Sequence, residues 1–382
     1  MKRRGRSMLA ICVALTVMLA TMGCANPGQP YLVEGDNYFE QGQWDEAIAE
    51  YTEAIKADPN LALAYTNRGA AYNKKNDFDK AIADCDKAIE FAPGLAEAYS
   101  NRGAAYNGKG DFDKAMADCD KAIELDLGLA EAFNNRGLAY AGKGDFDRAI
   151  ADYDEAIELD PGLAEAYNSR GLVYYWGGDF DRAIADYDKA IELDPELAEA
   201  YDNRGVIYYG KGEFDKAIAD YNKAIELTPE PAEVYSNRGL AYFGKQDFDK
   251  AIADYSKAIE LAPGLAQAFN NRGLAYTWKD DFDKAIADYD KAIELAPGLA
   301  PAYYNRGNAY YLKGDFDRAI ADCSKAIELA PGLAEAYLIR GFAYSRKGET
   351  AKAESDFQQC IEVSGDPRLV DTAQQALREF GK

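Results

Sequence analysis

Residues 130–163 read AEAFNNRGLAYAGKGDFDRAIADYDEAIELDPGL, and residues 164–197 repeat the design as AEAYNSRGLVYYWGGDFDRAIADYDKAIELDPEL. Each such unit encodes two helices. In the first unit Ala132, Phe133, Arg136, Gly137 and Tyr140 fall at helical spacing on one face. Gly142 and Gly144 break that helix, and Asp145 can cap the next by accepting its free amides. Phe146, Ala149, Ile150, Tyr153, Ala156 and Ile157 form the apolar stripe of the second helix, which Asp160-Pro161-Gly162 closes. Small residues (Gly137, Ala149, Ala156) let the helices approach, and aromatics fill what remains. One hairpin cannot bury both stripes alone, so neighbours must stack.

The unit recurs at a step of 34 without an insertion. Asn-Arg-Gly stands at 67–69, 101–103, 135–137, 203–205, 237–239, 271–273 and 305–307, with Ser169-Arg170-Gly171 and Ile339-Arg340-Gly341 in the other slots. With this Gly counted as the eighth place, ten repeats start at 28, 62, 96, 130, 164, 198, 232, 266, 300 and 334. The eleventh place is Tyr in all ten, from Tyr38 to Tyr344, and the twentieth is Ala, from Ala47 to Ala353. Pro closes eight repeats at the thirty-second place; Leu127 and Gly365 are the exceptions.

From residue 28 to about 365 this pattern resembles the tetratricopeptide (TPR) repeat. The resemblance implies an all-α, right-handed superhelical solenoid of ten helix-turn-helix repeats, with first helices lining a concave groove and second helices outside. The expected layout is a signal segment at 1–23, a flexible tether at 24–30, the solenoid at 31–366 and a capping helix at 367–382. In that last helix Leu369, Val370, Ala373, Leu377 and Phe380 share a face, and the other face is polar, as befits a solubilising cap.

The amino terminus reads as an address. Lys2, Arg3, Arg4 and Arg6 precede an almost uncharged apolar run from Met8 to Met22, ending at Gly23-Cys24. The run is short for a membrane span, which takes roughly 17–25 residues. The stop resembles the lipobox of bacterial lipoproteins, in which Cys24 becomes the lipidated first residue; Thr21 and Met22 depart from the usual pattern. The alternative is a plain signal peptide cleaved nearby.

Composition removes several functions. The chain of 382 residues has no His, which excludes His-based triads, His-ligated metals and imidazole shuttles. Formal charge is −23; without the four basic residues of positions 1–23, 39 basic side chains face 66 acidic ones, or −27. Such a surface repels phosphate backbones, so nucleic acid is not expected as a partner. No cofactor, metal or small-molecule substrate is evident. Cys85, Cys119 and Cys323 hold the twenty-fourth place, elsewhere Tyr or Phe, and Cys360 a small-residue slot; all read as buried thiols filling core space. The Asp-Phe-Asp triplets lack the Gly and closing Glu of a calcium loop. The many carboxylates recur at the repeat period as a solvated face, not as a convergent pair, so no catalytic residue is assigned.

The candidate binding residues lie on the first helices. Asn67, Asn101, Asn135, Asn203, Asn237, Asn271 and Asn305 hold the sixth place. An amide there can serve a bound peptide backbone, since it both donates and accepts, resembling the asparagine ladder in the repeat domain of the O-linked N-acetylglucosamine transferase; equally, it can bridge neighbouring helices. From repeat 5 onward the other groove places turn apolar, with Leu172, Tyr175, Trp176, Val206, Tyr209, Leu240, Phe243, Leu274, Trp278, Tyr304, Tyr311 and Leu312. Aromatics on a surface that the fold need not bury mark binding hot spots. The fifth place never carries Lys, which disfavours the carboxylate-clamp ligands of chaperone-binding relatives.

One interior charge needs an explanation. The seventh place is Arg in nine repeats, from Arg68 to Arg340, and the twenty-third is Asp or Glu in all ten. Repeat 1 has Glu34 and Glu50 in these two slots, so pairing within it would juxtapose like charges. This predicts pairing across repeats: Glu50 with Arg68, Asp84 with Arg102, and onward to Asp322 with Arg340.

The expectation is an exported, envelope-anchored, non-enzymatic scaffold that holds other proteins or extended peptides in its groove and meets the membrane through a lipid anchor. Two other classes compete: a structural spacer or assembly factor without a peptide groove, and a cell-wall enzyme.

Overall fold

The computed structural model of the protein describes residues 26–228 and 231–380. The signal segment and Cys24 lie outside the described residues. Among the described residues the chain forms 21 helices and no strand. From repeat 2 onward helix A fills places 1–13 and helix B places 17–30, as in Ala62–Lys74 and Phe78–Phe91. Repeat 1 has Gln29–Glu40 and Trp44–Ala57. Gln29 and Pro30, read above as the end of a tether, form its first turn, where Pro is at home because the missing N–H has no partner to lose.

The turn between A and B is identical in every repeat. Place 15 has positive φ throughout; seven copies are Gly, and Asn76, Gln246 and Asp280 adopt it at 58°, 63° and 58°. Asp145 caps helix B as expected, its side chain accepting from the Arg148 backbone N–H, and Asp111, Asp179, Asp247, Asp281 and Asp315 do likewise.

Residues 1–200 and 201–382 form two compact units. Within each, A helices of neighbouring repeats touch, while among the described helices the B helices touch A helices and, at the end of the second unit, the final helix, but not one another. The A helices therefore gather on an inner face in each stack, and the B helices spread outside. The final helix, Pro367–Phe380, closes the second unit by burying Ala373 and Ala376, with Leu369 and Leu377 packed around them.

Hairpin packing centres on one close approach. A Cβ added at Gly137 would come within 2.7 Å of the Tyr153 ring, and at Gly103 within 2.7 Å of Cys119 Sγ. The glycine at place 8 faces the side chain at place 24 in all ten repeats. Cys85, Cys119, Cys323 and Cys360 are free and buried, as expected of core fillers; burial first of all pushes the Cys85 and Cys323 thiols up to about 12.

The arginines correct the register inferred from sequence. Arg136 Nε and Nη2 donate to both carboxylate oxygens of Asp152, in its own repeat, at 2.8 and 2.7 Å. Arg68 pairs with Asp84 and Arg340 with Asp356 in the same way, not with Glu50 and Asp322. The inference from repeat 1 fails because, among the described residues, Glu34 is exposed and Glu50 only partly buried, so water screens their charges. A link across the interface does exist, through the third guanidinium nitrogen. Nη1 of Arg136 reaches Asp120 at place 25 of the preceding repeat at 2.7 Å; Arg102 reaches Asp86, Arg170 Asp154, Arg238 Asn222 and Arg272 Ser256. Hydrogen bonds to Asp152 hold the Arg136 guanidinium charged, above its ordinary range.

Exposure ranks the two contacts, since the side chain of Asp152 is 9% exposed and that of Asp120 60%. Arg136→Met should cost about 3 kcal/mol, because it strands a buried carboxylate. Asp120→Ala should cost about 1 kcal/mol or less. Urea unfolding of both variants checks this; equal costs would contradict the staple.

Candidate partner-binding face

The inner face differs between the two units. In the second, the Phe243 ring packs edge-on against Phe248 at 5.3 Å, and Trp278 stacks on the same Phe248 at 5.9 Å and 17°. Tyr209 packs on Phe214 and Tyr311 on Phe316, both at 5.8 Å. Place 12 thus lies on the Phe that opens helix B of its own repeat, and a Trp at place 13 on that of the repeat before. Tyr209, Phe243 and Tyr311 are partly buried by this packing, so part of the aromatic content serves the fold. Trp278 does not retreat: it remains 63% exposed, and Leu312 is exposed as well. Tyr304 is partly buried, and burial pushes its hydroxyl up to about 12.

In the first unit Tyr175 packs on Phe180 at 5.9 Å and Trp176 on Phe146 at 5.7 Å. Trp176 is 51% exposed, while Leu172 and Tyr175 are partly buried.

The sixth-place asparagines reach backwards. Asn101 Nδ2 donates to the Thr66 carbonyl at 3.3 Å, Asn135 to the Ser100 hydroxyl at 3.1 Å, Asn237 to Asp202 at 3.2 Å and Asn305 to Asn270 at 3.0 Å. Asn67 donates to Asp36 at 2.8 Å, Asn271 accepts from Gln267 at 2.9 Å, and Asn203 is engaged as well. At Asn67, Asn101, Asn135, Asn237 and Asn305 the donor side therefore bridges successive A helices, whereas at Asn271 the oxygen is taken by Gln267 and Asn270.

On the inner face of repeats 2–4, sequence reasoning named only the sixth-place asparagines. Here the Lys74 ammonium lies 3.6 Å from Glu165, across repeats 3 and 4. Between them sits Glu131, whose carboxyl is held above its ordinary range by desolvation first, then by Asp160, Glu165 and Glu97. Asn73 and Asn107 donate to the backbone carbonyls of Asn101 and Asn135 at 2.8 and 2.7 Å. That fixes their amide orientation and leaves Oδ1 of each buried without a partner, as is Oδ1 of Asn134. The available signal was Glu at place 2, which runs through five successive repeats as Glu97, Glu131, Glu165, Glu199 and Glu233. Among the described residues no group of Cys, Asp and Glu is placed to hold a metal, and no helix is long and apolar enough to cross a membrane.

A carboxyl that binds its proton more tightly when folded loses stability as pH rises from the unfolded value through the folded one. Glu131→Gln should therefore stabilise the chain at pH 7 and have little effect at pH 4. Thermal unfolding at both values checks this; destabilisation at pH 7 would contradict it.

The tetratricopeptide-repeat profile matches residues 62–95, 96–126, 130–163, 232–265, 266–299 and 300–333, and two related TPR profiles match 35–76, 173–212, 205–246 and 334–367. No curated protein sequence matches the chain. Among solved structures, Pseudomonas aeruginosa PilF is 21% identical, covering 58% of this chain and 97% of its own, with a TM-score of 0.50. The Cut9–Hcn1 hetero-tetramer structure of the APC/C is 14% identical over 96% of this chain and 99% of its own, also at 0.50. YrrB, described as a TPR protein with an unusual peptide-binding site, is 27% identical over 48% of this chain and 95% of its own, at 0.42. PilF and Cut9 show the shared fold alone. With more than half of its length matched by one repeat profile and the rest of the solenoid by its relatives, the chain belongs to the tetratricopeptide-repeat family.

Proposed function

We propose that the chain is a non-enzymatic scaffold that holds partner polypeptides on its inner face and is anchored at the cell envelope through a lipidated Cys24. TPR folds are protein–protein interaction scaffolds and generally carry no chemistry of their own, which supports the first half of the reading. The observation that carries it is Trp278, 63% exposed although stacked on Phe248. Exposed tryptophan on a rigid shelf contributes nothing to folding that a Gly does not supply at the same place in repeat 7, Gly244. On binding, it offers a large contact area for little lost side-chain entropy. Trp176 makes the same offer in the first unit. The envelope half rests on the basic segment, the apolar run and Gly23-Cys24.

Trp278→Ala and Trp176→Ala, made singly, should each weaken a bound partner by about 2 kcal/mol while leaving the helical content unchanged. Calorimetry on a partner captured by crosslinking measures this, and unchanged affinity in both folded variants moves the site off the inner face. Cys24→Ala should abolish incorporation of labelled palmitate and release the protein from membranes. Label retained in the variant, or a wild-type protein found wholly off membranes, contradicts the anchor.

A further inference from the structure

In later repeats the side chains at places 6 and 7 of helix A reach the preceding repeat: Asn101 the Thr66 carbonyl, Arg136 Asp120. The face that carries them is the one a preceding hairpin covers. In repeat 1 these places hold Val33 and Glu34, and both are exposed. Tyr31 at place 4 is 42% exposed and Val33 41%, whereas place 4 is buried or partly buried in every other repeat. Among the described helices, Gln29–Glu40 packs only on the second helix of its own repeat and the first of the next, so this face stays open.

The chain enters that helix clamped. Asn26 Nδ2 donates to Asp58 Oδ2 at 2.5 Å, the Gly28 N–H donates to Asn26 Oδ1 at 2.8 Å, and the Gln29 N–H donates to the Asn26 carbonyl at 3.0 Å. A Cβ at Gly28 would come within 2.6 Å of the Ala54 carbonyl, so the segment lies against the end of helix B of its own repeat. Cleavage before Cys24 therefore leaves two residues, Cys24 and Ala25, ahead of the clamp. The two steps from Cys24 to Asn26 reach at most about 7 Å. Tyr31 and Val33 lie within the first turn and a half of the helix that follows.

We propose that the open face of repeat 1 seats the first unit on the membrane, with Tyr31 and Val33 set among the lipid headgroups. The proposal rests on the reading of Cys24 as lipidated. An acyl chain on Cys24 holds Asn26 at the bilayer surface, and the clamp to Asp58 carries the first helix there with it. Tyr suits that depth, since its ring is apolar and its hydroxyl stays wet. A single acyl chain binds a membrane only marginally, so the added apolar contact strengthens the anchor. Glu34 and Glu40 are exposed on this helix, and anionic lipid repels them, so the surface fits zwitterionic headgroups. A second copy is the rival occupant; pairing this face with itself would bring two Glu34 carboxylates onto one interface.

The test uses the full acylated chain, extracted from cells fed labelled palmitate and reconstituted in vesicles of phosphatidylethanolamine and phosphatidylcholine. An environment-sensitive fluorophore is placed on Val33→Cys, or on Glu158→Cys, exposed on helix B of repeat 4, as the control. Cys85, Cys119, Cys323 and Cys360 are buried and stay unlabelled. Emission at 33 should shift to the blue on vesicles and be quenched by lipid bearing a nitroxide near its headgroup; emission at 158 should do neither. Replacing the phosphatidylcholine with phosphatidylglycerol should weaken the quenching, and Tyr31→Asp should remove it while palmitate stays on the protein. Quenching that survives Tyr31→Asp places the label and not the face in the bilayer, and overturns the seat. Palmitate on the protein with position 33 unquenched overturns the seat and leaves the lipid anchor standing. No palmitate and no association with vesicles overturns both. A blue shift at 33 in the unacylated Cys24→Ala protein in buffer, with a dimer in sedimentation, assigns the face to a second copy and overturns the seat.

Discussion

Each hairpin depends on the contact between a glycine in helix A and the side chain at place 24 of helix B. At Gly273 a Cβ would come within 2.7 Å of the Tyr289 ring, and at Gly35 within 2.5 Å of Tyr51. No other residue leaves room for an aromatic ring to lie on the helix backbone. The contact sets the distance between A and B, and its neighbours in sequence inherit their geometry from it. Place 7, beside the glycine, and place 23, beside the ring, face each other, which is why Arg and Asp meet within one repeat. The tyrosine hydroxyl is carried through to helix A, where Tyr51 donates to Asp36 at 2.9 Å and Tyr289 meets Thr277 at 3.0 Å. The hydroxyls of Tyr187 and Tyr255 are buried without a partner, in repeats whose place 12 is Tyr175 and Phe243.

The hairpins were legible from sequence because one period of 34 fixes both helix faces, the turn and the closing Pro at once. The Arg register was not. Arg68 lies 16 residues before Asp84, 16 after Thr52 and 18 after Glu50. Spacing alone gives no reason to prefer one, and only the helix crossing brings Asp84 and Thr52 into reach. The tie-breaker drawn from repeat 1 treated an end as an interior, where solvent rather than a partner answers the charge. Among the candidate site residues, the exposed tryptophans were readable because Trp stands where four other repeats have Gly and three have a charged residue. The buried, unpartnered oxygens of Asn73, Asn107 and Asn134 were not, because an asparagine's unmet oxygen is a property of its neighbours.

The two units put one scaffold to different uses on their inner faces. In the second, Trp278, Phe243 and Leu312 present apolar area with no Lys or Arg at the groove places of repeats 6–9. In the first, Trp176 lies exposed on Phe146, and Glu97, Glu131 and Glu165 are exposed at place 2. A chain of one repeated motif can vary the exposed part of its inner face, because places 8, 20 and 24 secure the hairpin; places 5 and 12 are less free, since Thr66, Ser100 and Asn270 are buried and Phe243 packs on Phe248. Function is therefore written where the repeats differ, and the fold where they agree.

Site-specific photo-crosslinking in the cells that produce the protein tests most directly whether the inner face is the binding surface. A benzophenone side chain at position 278 samples the inner face, and one at Glu294, exposed on helix B of the same repeat, samples the outer. The account predicts polypeptide adducts at 278 that are absent at 294. Adducts confined to 294, or of equal yield at both, would contradict it.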